Sequence, residues 1–224
     1  MRTEEIRNVN FSQYTLGASF CRETYSHRGV RILVPKNIQF YTINLDQYNK
    51  EKDFEICALK LNILSNSFTT ICTCRSPTGN FFYFLNQLES ILNKIYKTSS
   101  ELISCGDLNI NYLNDNSRKD LLDSLLASFS LFSTGKFPTR ISNNSCTLMD
   151  IYINTYRHEF SVRPIINGLT DHNAQIIILS NIFSSVPRHV FSFTRKINNY
   201  SISKFTSLLS YKNWEDVFLE TMSI

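Results

Sequence analysis

With 224 residues, 42% of them apolar and 19% charged, the chain has the make-up of a globular protein long enough to bury a core, and no run reaches the roughly 18 to 20 apolar residues of a membrane span. The first residues, Met-Arg-Thr-Glu-Glu, are too acidic to open a secretory signal, so a cytoplasmic or nuclear protein is expected. A formal charge of +4 permits a polyanionic partner without demanding one, because the basic residues are spread out.

In chain order, Gly29 to Val34, Glu55 to Ile63 and Phe68 to Cys74 have the β-branched content and partial alternation of strands. Pro77-Thr-Gly79 is a turn signal, and Phe81 to Lys97 then places Phe84, Leu85, Leu88, Ile91, Leu92 and Ile95 at helical spacing. Glu101 to Cys105 returns to an extended run, Arg118 to Phe129 is helical with Leu121, Leu122, Leu125 and Leu126 on one side, and Leu148 to Ile153 reads as a strand. Ala174 to Leu179 is apolar at nearly every position, the pattern of a strand covered on both faces. Beyond Pro187 the pattern weakens, with short helical stretches at Ser201 to Leu209 and around Trp214 to Leu219. The alternation predicts an α/β protein built around a buried sheet, with residues 1–182 as one domain and 183–224 as a linker and helical tail.

The six cysteines, Cys21, Cys57, Cys72, Cys74, Cys105 and Cys146, are scattered and mostly lie in apolar strand-like runs, as reduced, structural thiols do. Cys72-Thr-Cys74 has a ligand-like spacing but no second Cys or His pair to complete a zinc site.

Three segments carry chemistry. Gly106-Asp107-Leu108-Asn109 closes an apolar run, where ligands sit in open α/β sheets, and pairs a carboxylate that can hold a hard cation with an amide that can donate to phosphate; a solvated turn has the same composition. Thr147-Leu-Met-Asp150-Ile-Tyr-Ile153 interrupts a strand with an acid, which either faces water at an edge or needs a partner such as an imidazole. Gly168-Leu-Thr-Asp171-His172 sets an acid beside the side chain that titrates nearest neutrality. His27, His158 and His189 lack such settings and are assigned to the surface.

The order of these segments resembles the endonuclease/exonuclease/phosphatase superfamily, and the likeness is greatest to the endonuclease domain of insect non-LTR retrotransposons. Tyr14 to Arg22, Lys52 to Leu61, Arg75-Ser-Pro-Thr-Gly-Asn-Phe81 and Gly168-Leu-Thr-Asp-His-Asn-Ala-Gln175 share that character. The resemblance implies a DNase I-like two-sheet β-sandwich flanked by helices, an α/β (α+β) fold, acting on DNA with Mg²⁺ or Mn²⁺. It implies that Asp107 positions the attacking water, Asn109 holds the scissile phosphate, Asp171 and Asp107 bind the metal, and His172 stabilises charge or acts as base, oriented by Asp150. It further implies a monomer joined to a reverse transcriptase in its parent polypeptide, the tail from Phe193 onward leading to it.

Two parts of that pattern are missing. The family's first strands, one ending in Asn and the next carrying a metal-binding Glu, would fall before Met1, with Glu4 and Glu5 out of context, so a fold lacking its first strands is expected to be marginally stable. The family's catalytic tyrosine position holds Cys74, a weaker and shorter donor. Impaired cutting is the expectation. A nucleic-acid-binding remnant, gripping DNA through Arg75, Lys136 and Arg140, and a small-molecule phosphatase are the alternatives.

Overall fold

The computed structural model describes residues 12–24, 29–63, 66–96, 101–142, 145–154, 159–166, 171–180 and 199–211. In chain order its elements are β1 (Tyr14–Cys21), β2 (Gly29–Pro35), β3 (Gln39–Ile43), β4 (Glu55–Ile63), β5 (Asn66–Cys74), α1 (Phe81–Ile95), β6 (Glu101–Asp107), α2 (Ser117–Ser128), β7 (Phe132–Thr134), β8 (Arg140–Ser142), β9 (Ser145–Thr147), β10 (Asp150–Asn154), β11 (Phe160–Ile165), β12 (Ala174–Leu179) and α3 (Asn199–Ser210). They divide between two compact units, Met1–Val186 and Pro187–Ile224. The second contains α3, which exposes Ile202, Phe205 and Leu208. Glu4, Glu5, His27, His158, His189 and the Trp214 to Leu219 stretch lie outside the described residues.

A six-stranded sheet in the order β3-β4-β5-β6-β10-β7 forms the centre of the first unit. Its ladders are antiparallel except β5–β6, and a parallel pair needs a crossover, which α1 supplies. The period of two in β4 and β5 gives each face its own core. Ile56, Ala58 and Ile71 meet Phe84, Leu88, Ile91 and Leu92 of α1 and Leu122 and Leu126 of α2. Cys57 and Leu59 point the other way, against Ala18 of β1 and Val30 and Val34 of β2. Further along that second face, Phe68 and Ile103 meet Phe160 of β11 and Leu179 of β12. This is a sandwich flanked by helices, as the family resemblance implies. Both α1 and α2 begin on an asparagine cap: the Asn80 side chain accepts from Tyr83 N at 2.9 Å and the Asn116 side chain from Lys119 N at 3.0 Å.

One expectation fails. None of the six residues of β12 is buried, and Ile178 is 44% exposed. Among the described residues β12 pairs only with β11, so one ladder and one small cluster cover it rather than sheet neighbours and helices on both faces.

A buried ion pair joins the end of β1 to the start of β4. Glu55 has no exposed surface; its Oε1 accepts from Arg22 Nε in a short bond and from Lys52 N at 2.8 Å. Removing one member of such a pair strands the other in a low-dielectric interior. Glu55→Ala should therefore lower unfolding stability by about 3 to 5 kcal/mol in urea titration, whereas Asp115→Ala, which breaks the exposed Lys119–Asp115 pair, should cost less than about 1 kcal/mol. Equal midpoints for the two variants would contradict this assignment.

Candidate phosphodiesterase-type site at the sheet edge

Because β5 and β6 run parallel, their carboxyl ends emerge side by side, and β10 starts at the same edge with Asp150 in register with Asp107. At Gly106 the backbone takes φ +147°, and a Cβ there would lie 1.7 Å from Thr73 O. Only glycine allows this approach, which brings the segment after β6 against the segment after β5.

Arg75 ties those two segments together. Its side chain has no exposed surface, its Nε donates to Leu108 O at 3.0 Å, Nη1 to Ser76 O and Gly79 O at 3.0 and 3.1 Å, and Nη2 to Asn109 O at 2.9 Å. The main chain adds Arg75 N to Asp107 O at 3.0 Å. Burial, then the neighbouring Arg118 guanidinium, lowers the Arg75 pKa, while Asp107 opposes the shift. An arginine stays charged through such a shift. The sequence reading that gave Arg75 to a nucleic-acid surface is thus corrected: it is a structural pin.

Asp107 and Asn109 form the next layer. Asp107 Oδ1 accepts from Asn109 N at 3.0 Å, the local turn bond that lets Asn109 take φ +52°, and Asn109 Nδ2 donates to Arg75 O at 2.7 Å. Leu108 N then donates to Met149 O at 3.1 Å, joining this loop to the residue before Asp150.

From there Thr139, fully buried, carries the connection outward. Its Oγ1 accepts from Met149 N at 3.0 Å, its N donates to Thr147 O at 2.9 Å, and its carbonyl accepts from Asn173 N at 2.6 Å. Ile141 N donates to Asp171 O at 2.9 Å, the backbones of Arg140 and His172 pair as a single antiparallel β-bridge, and Arg140 Nε donates to Asp171 Oδ2 at 2.6 Å. That hydrogen bond, with the charges of Arg140 and His172, holds the exposed Asp171 carboxyl below the usual carboxylate range despite the opposing effect of desolvation.

No family model and no curated protein matches this sequence. Solved structures match the fold. The endonuclease domain of TRAS1, a telomere-specific non-LTR retrotransposon, is similar at a TM-score of 0.62 and 17% identity, over 76% of this chain and 81% of that one. TDP2 of D. rerio, complexed with a single-strand DNA product, gives 0.56 at 12% identity over 78% and 81%. An endonuclease/exonuclease/phosphatase family protein from Leptotrichia buccalis gives 0.53 at 13% identity over 79% and 75%. The chain has the endonuclease/exonuclease/phosphatase fold.

In this fold the segments that carry Asp107, Asn109 and Asp150 meet at the end of β6 and the start of β10, and a chain of hydrogen bonds through Met149 and Thr139 links them to the segment that carries Asp171 and His172. The Asp150 side chain lies outside the description, so its expected contact with His172 is not part of that geometry. Among the described residues no three of His, Cys, Asp and Glu stand close enough to hold a metal ion together. The available carboxylates are nevertheless of the hard-oxygen class that Mg²⁺ uses one or two at a time, with water and substrate phosphate completing the shell. Sequence reasoning missed Thr139 and the pairing of Arg140 with Asp171, since neither has a local signature. Thr139→Val should cost about 1 to 3 kcal/mol and remove hydrogen-exchange protection at the Met149 amide, with Thr139→Ser restoring the protection. Unchanged protection in the valine variant would show that Thr139 is not the link.

Proposed function

We propose that the chain is a member of the endonuclease/exonuclease/phosphatase superfamily that cleaves phosphodiester bonds of DNA with Mg²⁺ or Mn²⁺, at a rate reduced by Cys74. What supports this reading is that strand register and a relay of hydrogen bonds join the segments carrying Asp107, Asn109 and Asp150, at the end of β6 and the start of β10, to the segment carrying Asp171 and His172. Two similar structures point the same way: one is an endonuclease domain and one was solved with a DNA product.

Phosphoryl transfer asks mainly for positioning and charge neutralisation. Asp107 is fixed by the Asn109 amide and would orient the attacking water. Asn109 spends one side-chain N–H on Arg75 O, and an amide has a second to offer a phosphate oxygen. His172 would stabilise charge on the phosphate or take a proton, with Asp150 orienting its ring. Asp107 and Asp171 would hold the cation, which supplies Lewis-acid neutralisation of phosphate charge. Asp171, whose pKa its Arg140 bond lowers further, carries its charge at neutral pH.

On this reading DNA is the partner, residues 1–182 are the nuclease domain, and 183–224 lead to a reverse transcriptase in a parent polypeptide working in the cytoplasm or nucleus as a monomer. No helix among the described residues is long and apolar enough to cross a membrane.

A supercoiled plasmid incubated with the chain and Mg²⁺ should pass slowly to open circles, and chelation should stop the reaction. Asp107→Asn and Asp171→Asn should each slow it by about 10²-fold or more, and Cys74→Tyr should accelerate it. Nicking that persists in chelator or in Asp107→Asn, or hydrolysis of a soluble phosphate monoester without nicking, would count against the reading.

A further inference from the structure

Three thiols stand in a row across the second face of the central sheet. Cys57 of β4 is the register partner of Cys72 of β5, and Cys72 is in turn the register partner of Cys105 of β6. Cys57 is buried and Cys72 half-buried. Directly opposed residues of an antiparallel pair have Cα atoms about 4.5 to 5.5 Å apart, inside the roughly 4.4 to 6.8 Å that a disulfide spans.

We propose that Cys57 and Cys72 are a peroxide-reactive thiol pair that closes reversibly into a cross-strand disulfide. The neighbouring Cys105 and Cys57 thiols lower the Cys72 pKa well below the ordinary thiol range, and the same coupling to Cys72, together with burial, raises Cys57. Cys72 is half-buried and Cys57 buried, so Cys72 is the thiol that peroxide reaches first and Cys57 the resolving one. The Cys72 thiolate attacks one oxygen of hydrogen peroxide, the O–O bond breaks, and the departing hydroxide takes up the proton released by the thiol to form water, leaving a sulfenic acid. Cys57 Sγ then attacks that sulfur; the S–S bond forms, the S–O bond breaks, and the hydroxide leaves with the Cys57 proton as a second water. Two thiols lose two protons and two electrons, and peroxide accepts them.

This pair is independent of phosphodiester cleavage. Cys72 lies two residues before Cys74 and three before Arg75, so a bridge here would tie β4 to the strand whose end holds the candidate site.

The test uses the reduced, folded full chain, treated with hydrogen peroxide, blocked with iodoacetamide and digested with trypsin without reductant. The peptide from Asp53 to Lys60 should appear joined to that from Leu61 to Arg75, two hydrogens lighter than their sum, and tandem fragmentation should place the bond on Cys72 rather than Cys74. The joined species should rise about tenfold over the untreated control and vanish with dithiothreitol. It should survive Cys74→Ser and disappear in Cys72→Ser. Any of three results would overturn the proposal: no joined peptide from a chain that circular dichroism shows folded, a bond to Cys74, or predominant joining of Leu61 to Arg75 with the Cys105 peptide, Thr98 to Arg118.

Discussion

The burial of one positive charge organises the candidate site. Arg75 is removed from water, and the desolvation of a guanidinium is offset by charge-assisted bonds to carbonyls of Ser76, Gly79, Leu108 and Asn109. Those acceptors come from two segments more than 25 residues apart in sequence, so neither can move without leaving the charge unpaired. The Gly106 contact with Thr73 is what brings the segments within reach. A polar pin of this kind fixes geometry rather than adding much net stability, and geometry is what a phosphate-handling loop requires.

Restraint declines outward from that pin. Arg75 and Thr139 are wholly buried, Asp107 and Asn109 are half-buried, and the Arg140–Asp171 pair is exposed at about 40% on each side chain. The inner groups are held by bonds whose loss would leave a desolvated donor or acceptor, whereas the outer pair exchanges with solvent at small cost. A carboxylate that must accept a cation or make way for a substrate is best placed in the second kind of setting, anchored through its backbone by Ile141 N while its side chain remains easy to re-aim.

Legibility in the sequence followed the range of the physics. The period of two in β4 and β5 and the 3.6 spacing in α1 are local patterns, and each read correctly, whereas the strand read as ending at Cys105 runs on through Gly106 to Asp107 because β10 pairs with both. Strand β1 was visible only as family character because its register shifts between Leu16 and Ala18, which breaks the alternation, and β7, β8 and β9 are three residues each, too short to show a period. Ala174 to Leu179 misled because a nearly continuous apolar run is equally compatible with a strand that, among the described residues, has a single partner. Arg75 misled because an arginine's burial depends on carbonyls contributed from far along the chain, and Thr139 was silent for the same reason.

Position 74 meets two demands that pull apart. Cys74 packs with the cluster of Ala18, Val30, Val34, Cys57 and Leu59, and it also directly precedes the pin. A small thiol satisfies the first demand, filling space beside β1 and β2 with no large ring to accommodate. A phenol would serve the second, reaching toward phosphate, only if its ring left that cluster toward the sheet edge, since adding a ring to a packed interior typically costs about 1 to 3 kcal/mol in displaced neighbours.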